Sequence, residues 1–226
     1  MSKIKKQLFV CILLLFSACS SHPRFEIDEV AKDRLRNLPG TIGVRFYAKE
    51  VWSFLIRNGD LFPYTKLPEA SKEAASCTVS VGGPGIFPEG KDFDFGGVCP
   101  YLISPDKSRI VMAIIYKNIQ IPIATDFVLA TLNDRKIVFK RGFESLRSIS
   151  GIAWSPDSQF FAILEGTGKR SYLNILHLLS YMAGHPVDKQ SYSIKVYDRE
   201  GRFIVQTNIA SGFIGSCGEI VWLRGK

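Results

Sequence analysis

Residues 101–108, Tyr101-Leu102-Ile103-Ser104-Pro105-Asp106-Lys107-Ser108, and residues 152–159, Ile152-Ala153-Trp154-Ser155-Pro156-Asp157-Ser158-Gln159, carry the same Ser-Pro-Asp triplet 51 residues apart. Each triplet follows one apolar stretch and precedes another, Ile110 to Ile115 in the first copy and Phe160 to Leu164 in the second. Proline holds φ at about −65°, which suits the second position of a tight turn, and aspartate at the third position accepts hydrogen bonds from nearby backbone. The pattern predicts strand, turn, strand. Neither Ser104 nor Ser155 sits in a Gly-x-Ser-x-Gly elbow, so a nucleophile reading gives way to a structural one. Ser104, Pro105, Asp106, Ser155, Pro156 and Asp157 are read as turn residues.

A second kind of hairpin follows each triplet. Phe127 to Leu132 leads through Asn133-Asp134-Arg135-Lys136 into Ile137 to Lys140, and Tyr192 to Tyr197 leads through Asp198-Arg199-Glu200-Gly201 into Arg202 to Gln206. An earlier copy runs from Val51 to Ile56, turns at Arg57-Asn58-Gly59-Asp60 and resumes at Leu61 to Thr65. Asn-Gly is a strong hairpin signal because both central residues of the tight turn need positive φ. Three similar hairpins, two of them preceded by Ser-Pro-Asp, make a repeat.

This order of strands and turns resembles the blades of TolB-type and WD-repeat-like β-propellers. The resemblance covers residues 99–147 and 150–211 as two whole blades, with Val51 to Thr65 as the outer half of another and Gly218 to Trp222 as the inner strand of one. It implies a mainly β fold, an irregular or incomplete propeller of about three four-stranded blades with one short inserted helix. Ring propellers typically have four blades or more. The resemblance therefore implies a ring that is open, irregular or completed by a partner. Residues 71–98, with Thr78-Val79-Ser80-Val81 and Phe93-Asp94-Phe95-Gly96-Gly97, have room for more sheet but show no repeat.

An insertion at about residues 168–188 interrupts the second blade between its hairpins. Within it, Ser171, Asn174, His177 and Ser180 recur at three-residue spacing and would form one polar stripe on a helix spanning Ser171 to Gly184. Tyr172, Leu173, Ile175, Leu176, Leu178, Leu179 and Met182 would cover the rest. A helix of this kind must be buried, against its own domain, a membrane or a partner. Tyr172, Leu173, Leu176, Leu179 and Met182 are the candidate partner contacts.

The chain begins with Lys3, Lys5 and Lys6, the apolar run Leu8 to Phe16, and the small residues Ser17 and Ala18 before Cys19. This is a secretory signal, too short to span a bilayer. Ordinary signal cleavage wants a small residue where Phe16 stands. Leu15-Phe16-Ser17-Ala18-Cys19 instead resembles a lipobox, in which the cysteine is lipidated and becomes the new amino terminus, although Phe16 replaces the usual leucine. Ser20 after the cysteine implies, in a host with two membranes, the outer membrane with the domain facing the periplasm. The expected organisation is a signal peptide over 1–18, a tether and short helix over 19–40, with Phe25 to Leu38 as the helical stretch, and a propeller-like domain over 41–226.

Three of the 29 basic residues and none of the 21 acidic ones fall in residues 1–18, so 26 face 21 in the mature chain and leave a net charge of +5. An exported chain rarely meets nucleic acid, so no nucleic-acid partner is expected, and this mild excess serves solubility or a weak attraction to an acidic surface. Cys77, Cys99 and Cys217 remain after Cys11 leaves and Cys19 takes lipid, and export permits a disulfide. A Cys77–Cys99 bridge would contribute about 3 kcal/mol, but the three cysteines leave the pairing open. His22, His177 and His185 form no ligand spacing with them, so neither a metal nor a cofactor is expected. Asp92-Phe93-Asp94 lacks the later ligands of a calcium loop, and Gly166-Thr167-Gly168-Lys169-Arg170-Ser171 lacks the first glycine and the Gly-Lys-Ser order of a phosphate loop.

These features favour a membrane-tethered, non-enzymatic binding or scaffolding protein of the cell envelope, held by its lipid and capturing a protein partner. An envelope immunity or inhibitor protein is the alternative. A hydrolase assembled from carboxylates such as Asp92, Asp94 and Glu165 is the second.

Overall fold

The computed structural model of the chain describes residues 23–47, 51–69, 95–116, 126–133, 137–140, 148–168, 190–212 and 217–225. In chain order these form β1 (Arg24–Phe25), α1 (Glu29–Arg36), β2 (Thr41–Tyr47), β3 (Val51–Arg57), β4 (Asp60–Pro63), β5 (Phe95–Ile103), β6 (Arg109–Tyr116) and β7 (Asp126–Thr131). Then come β8 (Ile137–Lys140), β9 (Ser148–Trp154), β10 (Phe160–Gly168), β11 (Gln190–Asp198), β12 (Phe203–Gly212) and β13 (Cys217–Leu223). The fold is mainly β, as its alternating and apolar runs predict, and every strand pairing is antiparallel.

The strands make three sheets. The far sheet is a simple meander, β5-β6-β7-β8. The middle sheet is β9-β10-β11-β12 with β1 added at its outer edge. The split sheet has the order β13-β2-β3-β4, so its first strand comes from the other end of the sequence, with Leu223 opposite Thr41 and Cys217 opposite Tyr47.

Side-chain pattern explains the layering. In β10, Ala162 and Leu164 pack with Val44, Phe46, Ile220 and other residues of the split sheet, while Phe161 and Ile163 pack with Val111, Ala113, Phe127 and Leu129 of the far sheet. Because successive strand residues point to opposite faces, the middle sheet is covered on both sides, and residues 161–166 are all buried. The split sheet alternates instead. Ile42, Val44 and Phe46 are buried against the middle sheet, while Thr41, Arg45 and Tyr47 are only half-buried on the opposite face.

Sequence and structure part company near the amino terminus. The stretch expected to hold only a tether and a helix also contributes a strand: Arg24 and Phe25 pair with β12, Arg24 opposite Ser211 and Phe25 opposite Ala210. The Phe25 ring lies 4.5 Å from that of Phe54 and 5.5 Å from that of Trp52, stapling the edge of the middle sheet to the split sheet. Aromatic pairs at such distances add about 1 kcal/mol each beyond simple burial. The helix expected over Phe25 to Leu38 spans only Glu29–Arg36. Eight residues make a marginal helix alone, and this one is held by burying Ala31 and Leu35, one turn apart, and by Arg34 donating to the Ile204 carbonyl at 2.6 Å. Asp28, just before it, receives the Asn208 N–H at 3.0 Å and donates its own N–H to the Thr207 hydroxyl at 3.0 Å.

Candidate functional site

The two Ser-Pro-Asp segments form the β5–β6 and β9–β10 hairpins, and their hydrogen bonds correspond atom for atom. The buried Ser104 hydroxyl donates to Asp106 Oδ1 at 2.6 Å and accepts the Arg109 N–H at 2.9 Å. Ser155 donates to Asp157 Oδ1 at 2.6 Å and accepts the Phe160 N–H at 2.9 Å. In each turn the fourth residue, Lys107 or Ser158, has positive φ, at 57° and 61°. The serine hydroxyls are thus consumed by turn closure. At the other hairpins, Asn58 and Gly59 take φ of 52° and 80°, as their type I′ turn demands, and Asp198 Oδ1 accepts the Glu200 and Arg202 N–H groups.

These turns also tie the far sheet to the middle sheet. The Asp106 N–H donates to the Ser158 hydroxyl at 3.0 Å, Arg109 pairs with Glu200 at 3.1 Å, and Arg199 reaches Asp106 at 3.9 Å. The Ser104 hydroxyl, then the backbone and hydroxyl of Ser108, and Arg199 hold the Asp106 carboxyl down at about 2, against the opposing pull of partial burial.

Beside the turns, the ends of β5, β9 and β13 converge on an open cleft of about 240 Å³. Ile103 and Pro105 line it from the far sheet, Trp154 from the middle sheet, Val221 and Trp222 from the split sheet, and Glu69 from the segment after β4. Both indole N–H groups are already used: Trp154 donates to the Leu102 carbonyl at 3.0 Å and Trp222 to the Pro39 carbonyl at 2.7 Å. That bonding fixes the rings and leaves aliphatic and aromatic surface as the wall. Ile103 is exposed at the rim, and Glu69 adds an exposed carboxylate. An apolar wall with a single anionic group suits an aliphatic or aromatic side chain with a cation nearby.

The segment after β4 is held by Leu67. Its side chain lies on Gly43 of β2, where a Cβ would collide with it, and its carbonyl accepts a hydrogen bond from Arg45. Arg45 also pairs with Glu219 of β13 at 3.0 Å and donates to the Tyr47 hydroxyl, and burial pushes the Tyr47 phenol above its ordinary value.

No protein-family model matches the chain, and no curated protein sequence matches it.

Of the residues that the sequence singles out, the six turn positions lie together at one end of the far and middle sheets, next to the cleft, which Pro105 lines. Cys19, the run Tyr172, Leu173, Leu176, Leu179 and Met182, and Asp92 and Asp94 lie outside the described residues, as does Cys77. Cys99 falls in β5 and Cys217 in β13. Glu165 is fully buried and paired with Lys195 at 3.2 Å, a bond that holds β10 to β11. Among the described residues no group of three or more His, Cys, Asp or Glu is placed to hold a metal ion, and no helix is long and apolar enough to cross a membrane. Glu69 and the cleft are not foreseen by any motif. The one signal for them in the sequence is a tryptophan near the end of β9 and of β13, Trp154 and Trp222.

Proposed function

We propose that the chain is a lipoprotein anchored through Cys19 to the cell envelope, on the periplasmic face of the outer membrane where the host has two membranes, and that its domain is a non-enzymatic module that captures a protein partner. We further propose that the domain is an open arc of three propeller-type blades. What supports this is strand order: two meanders follow each other in sequence, and the third sheet takes its inner strand from the opposite end of the chain. The inner strand β9 packs against both β13 and β5.

The observation that carries the binding reading is the cleft where the three inner strands end. Its wall is preformed, its indole donors are satisfied internally, and its exposed groups are Ile103, Pro105 and Glu69. A partner segment presenting an apolar side chain beside lysine or arginine fits this chemistry. The test is a photo-crosslinking amino acid placed at Ile103 in the intact protein in its native envelope, with Val30, which is 91% exposed on α1, as control. One discrete adduct from position 103, absent from position 30 and abolished by Glu69→Lys, is expected. Equal labelling from both positions, or none from 103, overturns the reading.

A further inference from the structure

The register of the middle sheet gathers several chain segments at one of its ends. Arg24 lies opposite Ser211, Ser211 opposite Ser191, and Ser191 opposite Thr167. Strand spacing of about 4.8 Å puts Arg24 and Thr167 about 14 Å apart across the sheet. The opposite end of the same strands carries the Ser155–Phe160 turn, the Asp198–Arg202 turn and Trp154 at the cleft.

Arg24 opens β1 at the edge of the middle sheet. Its neighbour Phe25 is packed among Phe46, Trp52 and Phe54, and the Glu26 N–H donates to the Ile209 carbonyl at 3.3 Å. Cys19 precedes Arg24 by five residues. Even fully extended, that length reaches only about 17 Å. A lipid on Cys19 therefore leaves Arg24 no room to stand far from the bilayer.

A second observation selects the same end. The connection between β10 and β11 leaves at Gly168 and returns at Gln190, which are register partners there. It is the connection whose sequence carries Tyr172, Leu173, Ile175, Leu176, Leu178, Leu179 and Met182, with Lys169, Arg170 and Lys189 next to its points of attachment. Apolar residues flanked by basic ones match a lipid surface with anionic headgroups.

We propose that the Arg24–Ser211–Ser191–Thr167 end of the middle sheet faces the lipid bilayer, with the strands running away from it and the cleft turned toward the aqueous compartment. This rests on the lipidation of Cys19. The nine residues of β10 place the far end of the sheet about 26 Å further out, so the cleft is offered to soluble partners.

The test uses the full lipidated protein in vesicles of phosphatidylethanolamine and phosphatidylglycerol containing a headgroup-quenching lipid. A fluorescent amino acid is placed either at Ser211 or at Gln159, both exposed and at opposite ends of the sheet. Quenching at 211 several-fold stronger than at 159 is expected. Equal quenching, or stronger quenching at 159, with Cys19 shown by mass spectrometry to carry lipid, overturns the orientation and leaves the anchor standing. An unmodified Cys19 overturns both.

Discussion

The split sheet and the far sheet both pack on the middle sheet, but the faces they turn away from it are made differently. On the split sheet that face carries Arg45, Tyr47 and Glu219, and it leaves Val51, Phe62 and Tyr64 exposed. On the far sheet it carries Ile110, Met112, Ile114, Val128 and Ala130, all buried and forming a core cluster of their own. The primary structure already differs: Ile42-Gly43-Val44-Arg45-Phe46 alternates, whereas Ile110-Val111-Met112-Ala113-Ile114 is apolar throughout. Alternation marks a sheet with one covered face, and a continuous run marks one covered on both. The split sheet thus ends the stack, and the far sheet is an inner layer.

That contrast is most directly broken on the two outer faces. Ile114→Ser should cost about 3–5 kcal/mol, since it removes a buried side chain and places a hydroxyl in an apolar cluster. Phe62→Ser should cost less than about 1 kcal/mol because its ring is half in water. Urea unfolding of the two variants in a Cys19→Ser background measures both, and equal losses would remove the distinction between the sheets.

Among the described residues, Leu67 is the one buried hydrophobic side chain on the outer face of the split sheet, over Gly43. Leu67→Ala should cost about 2–3 kcal/mol, and Gly43→Ala about 1–3 kcal/mol through overpacking. The double variant should cost clearly less than the two together, since shortening Leu67 relieves the main collision. Strict additivity would show that Leu67 does not cover Gly43.

The smallest effect concerns how the first two strands of each sheet are joined. In the far sheet the join is the Ser104–Arg109 turn, whose Asp106 has its pKa lowered to about 2. The unfolded chain takes up that proton first, near pH 4, so the stabilisation is complete above pH 4 and is lost as pH falls toward 2. Solvent screening at this part-exposed carboxylate keeps it to about 1 kcal/mol. Asp106→Ala should flatten the stability profile between pH 4 and pH 2. An unchanged slope would assign the acid sensitivity to other carboxylates.

Short-range chemistry is readable from the sequence and long-range chemistry is not. Ser-Pro-Asp and Asn58-Gly59 shape their own backbone within a few residues, so hairpins at these places can be expected without a structure. The pairing of β1 with β12 joins residues about 190 positions apart through two residues, too few to carry a periodic signal. Strand β2 escapes a reading of the sequence although Ile42, Val44 and Phe46 alternate, because Gly43 and Arg45 make sense only once Leu67 and Glu219 are seen against them. The cleft has no motif of its own, being the meeting of three strand ends with Glu69.

The joint between β2 and β13 has a consequence for biosynthesis. No peptide link closes that hairpin: it depends on seven register pairs between the second described strand and the thirteenth. As the chain emerges, β2 waits with a bare hydrogen-bonding edge, and Ile42, Val44 and Phe46 lack the cover of Ile220 and Trp222. A product cut short before β13 keeps that edge exposed, open to proteases and to pairing with other chains. Completion of the sheet thus acts as a built-in proof that the ribosome reached the end of β13.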